Sequence, residues 1–545
     1  MNYWNKKLIF IICIATLLRL IGFFWGDING DGANYFEPDE YQHVEIVKNL
    51  IDKYDDNVFE NYKSENIRTY NTRGFGTQLA LIGYPLMKAS GFDARCLIYT
   101  GRVLSLIYSI ILIMVVYRIA ILIFKDEMSA FISAILLSIF DLNVTYSHYC
   151  LPEIPYVFWA YFSVFLALSF YSRNMNSGSG HGHSGTNYKR LLIIVLCTTS
   201  VLTMKYDFIP LLLFLLVILY LLLTGHLTIN RSIIITLFII VCSVFFFFIL
   251  NGFDFSVSDI RFSFSTLYRE NHNSILHDNH LLLNPVVFPM IIICGSSLPV
   301  FIVFAGRLYN LTFKAEKKAE NNSFNMILFF CLFIAAEFIV LWNLDVTCNR
   351  RANIFLPFVA IIAGNGLAKL RNQAVNTFRY GKCTVYLILL YTSGITLVSQ
   401  SNFIFETRSK AIRYINDNNI ADKTIGYSYY AAMSGMPRGE FISNTGYDFI
   451  IIHETNYKRY WKAPTTPFRI PECCSEVFHC NDVHCRIIQS LLSGKSDYRL
   501  YKDFRTPEIF PERVIYKYLL GSYEDFTGDV LIFKKKDNNY QHENN

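Results

Sequence analysis

Apolar runs separated by short polar joints fill most of the first 400 residues. The first run covers 8–25. Others follow at 97–124, 128–147, 153–171, 191–206, 208–223, 233–250, 286–305, 325–342, 353–369 and 383–400. A helix needs ~20 apolar residues to cross a bilayer, so the pattern predicts about eleven spans, the shorter ones tilted or half-buried in protein. Lys6 and Lys7 precede the first run, as in a secretory signal. That run is long and lacks a small-residue cleavage site, so it reads as a retained helix. The pair 191–206 and 208–223 is nearly continuous, and reading it as one span would flip every later segment.

The polar joints orient the spans. With a cytoplasmic N-terminus, the short inside loops carry Arg118 and Lys125; Arg173, Lys189 and Arg190; Arg231; Arg307, Lys314, Lys317 and Lys318; and Arg371, Arg379 and Lys382. That basic enrichment is what the positive-inside rule requires. It places 26–78, 251–285 and the tail from 401 on the extracytoplasmic face. Within the first outer loop, Val44, Val47, Leu50 and Ile51 fall at helical spacing and predict an amphipathic helix over 41–54, lying on the membrane.

From about Ser401 the pattern changes. A helix over 408–418 precedes strands at 424–430 and 447–453, the second holding the buried-type run Phe449-Ile450-Ile451-Ile452. The tail, 401–545, therefore reads as a small extracytoplasmic α/β domain. The segment 174–188 is rich in Gly, Ser and Asn and reads as a solvated cytoplasmic linker, with metal binding by His181 and His183 the lesser reading.

Composition agrees with a membrane chain: 53% of 545 residues are hydrophobic, 17% are charged and mean hydropathy is +0.30. Forty-seven Phe and 36 Tyr suit lipid-facing and interfacial surfaces. No basic stripe with interleaved stacking aromatics suggests nucleic acid. The nine cysteines outside the tail lie mostly in apolar runs. Cys473, Cys474, Cys480 and Cys485 cluster in the tail with His479 and His484; two disulfides are favoured there over zinc, because no tidy C-x2-C pair is present.

The candidate chemistry lies at one membrane face. Glu37-Pro38-Asp39-Glu40-Tyr41-Gln42-His43 follows the first span directly. Two adjacent carboxylates beside lipid suit general-base work, although Asp39 would equally serve as the cap of the following helix. Glu153 opens the fourth span after Tyr146-Ser147-His148-Tyr149-Cys150-Leu151-Pro152 and shares that face; an acid at a helix start also favours the helix dipole. Lys205 ends another run, and Arg350 and Arg351 precede the tenth span on the outside, against the charge rule, which calls for an anionic partner. Arginine matches phosphate well. Tyr41, His148 and His280 lie on the same side as substrate-contacting candidates. Acids for an acceptor and cations for a phosphate fit group transfer from a membrane-embedded phosphate ester.

These motifs resemble the GT-C superfamily of polyprenyl-phosphate-sugar glycosyltransferases. The similar branch holds protein O-mannosyltransferases and the bacterial lipid A aminoarabinose transferases. The resemblance spans roughly residues 5–460 and rests on Asp39-Glu40, Gly91-Phe92…Gly101-Arg102-Val103-Leu104-Ser105, Tyr146-Ser147-His148…Pro152-Glu153, Thr203-Met204-Lys205 and Arg350-Arg351…Leu356-Pro357. It implies a polytopic GT-C fold and an inverting sugar transfer from an undecaprenyl- or dolichyl-phosphate carrier to a protein, lipid or glycan, on the outer face of the plasma (inner) membrane. By this likeness Asp39 is the base, and Glu40 and Glu153 support acceptor or sugar. Lys205 and Arg351 (or Arg350) hold the donor phosphate, and Arg73 lies near a family basic position. No cofactor or metal is implied. Glu153 stands where relatives have Asp, and Phe75-Gly76-Thr77-Gln78 replaces the Lys-Pro-Pro of the bacterial branch. The competing readings are a flippase of lipid-linked glycans, which would carry charges at mid-membrane, and a polymerase of surface polysaccharide.

Overall fold

The computed structural model describes residues 3–26, 73–91, 95–176, 280–313, 349–373, 380–428, 440–454, 482–519 and 527–536, with Glu40, His43, Val47 and other isolated positions. The helical part comprises α1 (Tyr3–Leu20), α2 (Arg73–Ala89), α3 (Arg95–Phe124), α4 (Glu127–Ile139), α5 (Asp141–Tyr146), α6 (Glu153–Asn176), α7 (His280–Ser296), α8 (Leu298–Phe313), α9 (Leu356–Gln373) and α10 (Gly381–Ile404). A 3-10 turn, Asn349–Phe355, leads into α9. A mixed unit follows: α11 (Thr407–Asp417), β1 (Ile425–Tyr427), β2 (Glu440–Phe441), β3 (Phe449–His453), α12 (Asp482–Leu492), β4 (Tyr498–Phe504), α13 (Pro511–Leu519) and β5 (Val530–Lys535).

Among the described residues three helices are long and apolar enough to cross a membrane, or four with α7 and α8 counted as one broken span. The runs at 208–223, 233–250 and 325–342 lie almost wholly outside the described residues, and 191–206 is described only at scattered helical positions. So do most of the 41–54 helix, the 174–188 linker beyond Asn176, and Cys473, Cys474 and Cys480. Glu40, His43 and Val47 are helical.

Two expectations change. The run at 286–305 is not one straight span, because the chain bends by 113° between α7 and α8. Ser297 between them has φ 93°, and Pro299, having no N–H to give a helix interior, fits the first turn of a new helix. Helix α2 also begins inside the stretch 26–78 that reads as a polar loop.

The core forms around α4, which packs on α9, α3 and α1. Its N-terminus is capped by Asp126, whose carboxylate accepts from Met128 N and Ser129 N at 3.2 and 2.9 Å. Gly364 lets α9 approach closely, since a Cβ there would sit 2.2 Å from Ser133 Oγ. Polar staples cross the same core. Arg19, wholly buried, donates to Ser109 Oγ and Asn143 Oδ1 at 2.8 Å and to the carbonyls of Ala15 and Ser138 at 3.1 Å. Arg307 Nε donates to Asn365 Oδ1 at 2.6 Å, and Asn365 Nδ2 donates to Ser129 Oγ at 3.0 Å.

The C-terminal sheet has the order β2-β1-β3-β5-β4, with β1 parallel to β2 and β3, and β5 antiparallel to β3 and β4. The strands expected at 424–430 and 447–453 correspond to β1 and β3. Alternation along a strand sends successive side chains to opposite faces. Ile450, Ile452, Leu531 and Phe533 accordingly pack with Ile487, Ile488 and Leu491 of α12. Phe449, Ile451, Val530 and Ile532 pack with Ala411 and Ile415 of α11. The result is a sheet between two helical layers.

Ile451 is fully buried in this sandwich and Leu500 is exposed. Ile451→Ala should lower stability by about 2–5 kcal/mol, whereas Leu500→Ala should change it by less than about 0.5 kcal/mol. Thermal unfolding of the detergent-solubilised chain measures both.

Candidate active site

The acidic knot is anchored by Glu40, which is completely buried. Arg102 of α3 meets it with a two-pronged ion pair: Nε to Oε1 at 2.9 Å and Nη2 to Oε2 at 2.7 Å. The third guanidinium nitrogen, Nη1, donates to the carbonyls of Phe23 and Trp25 at 2.9 and 2.8 Å. Arg102 thus ties the chain leaving α1 to Glu40 of the acidic segment. A paired, fully hydrogen-bonded charge is the form in which a buried carboxylate persists.

The turn between α5 and α6 closes the arrangement. Cys150 N donates to Glu40 Oε1 at 2.7 Å. That approach needs a glycine on α3, because a Cβ on Gly101 would meet Cys150 Sγ at 2.0 Å. One turn along the same helix face, Ser105 Oγ donates to the Leu151 carbonyl at 3.3 Å. Gly101, Arg102 and Ser105 therefore form one docking surface for two loops.

Glu153 is the first residue of α6, where a carboxylate meets the positive end of the helix dipole. Its Oε1 lies 3.7 Å from Arg350 Nε; Glu153 is buried and Arg350 half-buried. An anionic partner for Arg350 is thus supplied by the protein itself. Tyr161 Oη, further along α6, donates to the Ile354 carbonyl at 2.8 Å and holds the 3-10 turn against this helix.

An aromatic wall stands behind the turn. Trp25 packs edge-on against Phe403 and Tyr149, with centroids 5.3 and 5.6 Å apart. His148 stacks on Phe403 at 4.9 Å. The Arg408 guanidinium covers the Trp25 ring at 5.5 Å and pairs with Glu406 at 2.5 Å. His148 is buried in this wall with Nδ1 3.3 Å from the Thr145 carbonyl, a packing position rather than an open one. Burial pushes its imidazole down to about 4.

Asp39, Tyr41 and Lys205 lie outside the described residues. Arg73 and His280 begin α2 and α7, and Arg351 lies in the 3-10 turn beside Arg350; only their backbones are described. The structure therefore brings together Glu40, the His148–Cys150 turn, Glu153 and Arg350. The role of Arg102 escapes a reading by motif alone. Its signal is physical: an arginine inside the 30-residue apolar helix α3 is costly in a membrane and requires a partner.

Arg102→Met leaves Glu40 buried without its ion-pair partner and should cost about 3–5 kcal/mol, while Arg102→Met with Glu40→Gln should cost clearly less. Unfolding curves of the single and double variants measure the difference. His148 titrates near 6.5 when unfolded, so its neutral burial adds stability above that pH which is lost as pH falls toward 4. His148→Gln should flatten the stability–pH slope between pH 6.5 and 4.

No family model and no curated protein matches the chain. Solved structures do. The archaeal oligosaccharyltransferase AglB from Archaeoglobus fulgidus, in complex with an inhibitory peptide and a dolichol-phosphate, superposes with TM-score 0.51 at 12% identity, covering 98% of this chain and 88% of that one. The same oligosaccharyltransferase tethered to an acceptor peptide gives the same values. ArnT from Cupriavidus metallidurans bound to undecaprenyl phosphate aligns at 12% identity and TM-score 0.49 over 76% of this chain and 73% of its own. Over 98% of its length the chain shares the overall fold of the archaeal oligosaccharyltransferase.

Proposed function

We propose that this chain is an integral membrane glycosyltransferase that moves a sugar from a polyprenyl-phosphate carrier to an acceptor on the extracytoplasmic face of the plasma membrane. The observation that carries the reading is the built acidic site on a GT-C fold: Glu40 held by Arg102 and by the Cys150 N–H. A general base must be a positioned group, and the fixed carboxylate next to Asp39 in sequence supports that role for Asp39. The fold neighbour in complex with a dolichol-phosphate supports the donor class.

In this mechanism Asp39 takes the proton of the acceptor hydroxyl or amine as that group attacks the anomeric carbon. The bond from that carbon to the phosphate oxygen breaks, and the polyprenyl phosphate leaves with the electron pair. Attack opposite the leaving group inverts the anomeric centre. Arg350, Arg351 and Lys205 stabilise the phosphate charge, with Arg73 nearby. Glu153 orients Arg350 through their ion pair and supports the sugar. Tyr41 and His280 are assigned to substrate contact, and His148 packs in the wall behind the turn. Glu40 acts through geometry, because Arg102 and Cys150 engage both of its oxygens.

Transfer from radiolabelled polyprenyl-phosphate sugars by purified protein tests this reading. Asp39→Asn should reduce turnover by about 10²–10⁴-fold, the usual contribution of a general base. Normal turnover by that variant removes Asp39 from the mechanism.

A further inference from the structure

Helix α13 belongs by sequence to the C-terminal domain, yet it is sunk into the helical part. Glu512 Oε1 accepts from Leu298 N at 3.2 Å, capping α8 where the broken span resumes, and Glu512 Oε2 accepts from Tyr391 Oη of α10 at 2.8 Å. Cys294 Sγ lies 3.4 Å from the Glu512 carbonyl, and Phe510 packs edge-on to Tyr391 at 5.3 Å. These contacts hold α13 in place without help from its next residue, Arg513.

Arg513 reaches elsewhere. Its Nη2 pairs with Asp141 Oδ2, 372 residues away in sequence, and both side chains are almost fully buried. Asp141 is the first residue of α5, and its Oδ1 accepts from Gln400 Nε2 and from Thr145 Oγ1, each at 3.4 Å. Helix α5 has six residues, too few to be stable alone, so its placement depends on tertiary contacts. Four residues along α13 from Arg513, on the same face, Lys517 lies 3.5 Å from Glu454 and 3.3 Å from Asp529 at the ends of β3 and β5. A continuous line of contacts therefore runs from the C-terminal sheet through α13 to Asp141, along α5 to Cys150, and on to Glu40.

We propose that Arg513 is a positioning residue of the transfer site. By gripping Asp141 it holds residues 141–152 in the register that offers the Cys150 N–H to Glu40 and starts α6 at Glu153. The segment is then pinned at both ends, by the C-terminal domain at Asp141 and by α3 and Glu40 at Cys150. The C-terminal domain is on this view a structural component of the site. The proposal rests on the glycosyltransferase reading for its kinetic arm only.

Removing both charges together, as Asp141→Asn with Arg513→Gln, avoids stranding either in the interior. The full-length double variant should alkylate Cys150 with N-ethylmaleimide at least about tenfold faster than the parent. Peptide mass spectrometry follows each cysteine, with buried Cys197 as the unchanged internal standard. On a polyprenyl-phosphate sugar, the double variant should lose at least about tenfold in kcat while KM for the donor stays within about twofold. Arg513→Lys, which keeps the charge, should recover part of the loss. A Cys150 as protected in the double variant as in the parent overturns the proposal. If the parent itself transfers no sugar, the glycosyltransferase reading fails, while the alkylation rate still decides the positioning role.

Discussion

Everything at the candidate site depends on one buried ion pair. Glu40 has no access to solvent, and a carboxylate so placed survives only when a matched cation and donors surround it. Arg102 supplies the two-pronged match and spends its remaining nitrogen on the end of the first helix. Such a pair adds little net stability, because two charges must be stripped of water to form it. Its consequence is geometric. The exit of α1, the acidic segment and the 147–152 turn are held to one point on α3, and that point is where the carboxylate chemistry is expected.

The same logic recurs through the helical part. Lipid is as apolar as leucine, so burial of apolar surface does not by itself decide which helix face meets a neighbour. Exposed Tyr386, Leu387 and Leu390 on α10 illustrate the indifferent face. Polar staples and close approaches make the choice instead. Arg19 draws α1, α3 and the α4–α5 joint together through Ser109, Ser138 and Asn143. The Arg307–Asn365–Ser129 chain links α8, α9 and α4. Gly364 against Ser133 sets how closely α9 and α4 approach.

The C-terminal domain is bound by these rules as well. A sheet sandwiched by α11 and α12 could stand apart on its own cores. It does not, because α13 carries Glu512 and Arg513 into the helical part, where Leu298 N, Tyr391 and Asp141 need polar partners. Arg408 adds a second tie by covering Trp25 beside the acidic segment. A broken span leaves backbone N–H groups without partners, and a carboxylate from another domain satisfies one of them.

Much of the plan is written in short-range pattern. Apolar length places α3, α9 and α10, and alternation at Phe449-Ile450-Ile451-Ile452 places the central strand, because both signals need only neighbouring residues. The acids at 40 and 153 and the arginine at 350 are likewise visible as charges in unfavourable surroundings. Their partners are not. Pattern treats 286–305 as one span because hydropathy sums composition and does not register a backbone turn at Ser297. Nothing near Glu40 names Arg102, 62 residues on, and nothing near Asp141 names Arg513, 372 residues on. Local pattern is therefore enough to specify apolar runs of membrane length, an acidic knot and an α/β tail. Which charge neutralises which emerges on folding, because a buried charge takes whichever opposite charge the packing of distant elements brings within reach.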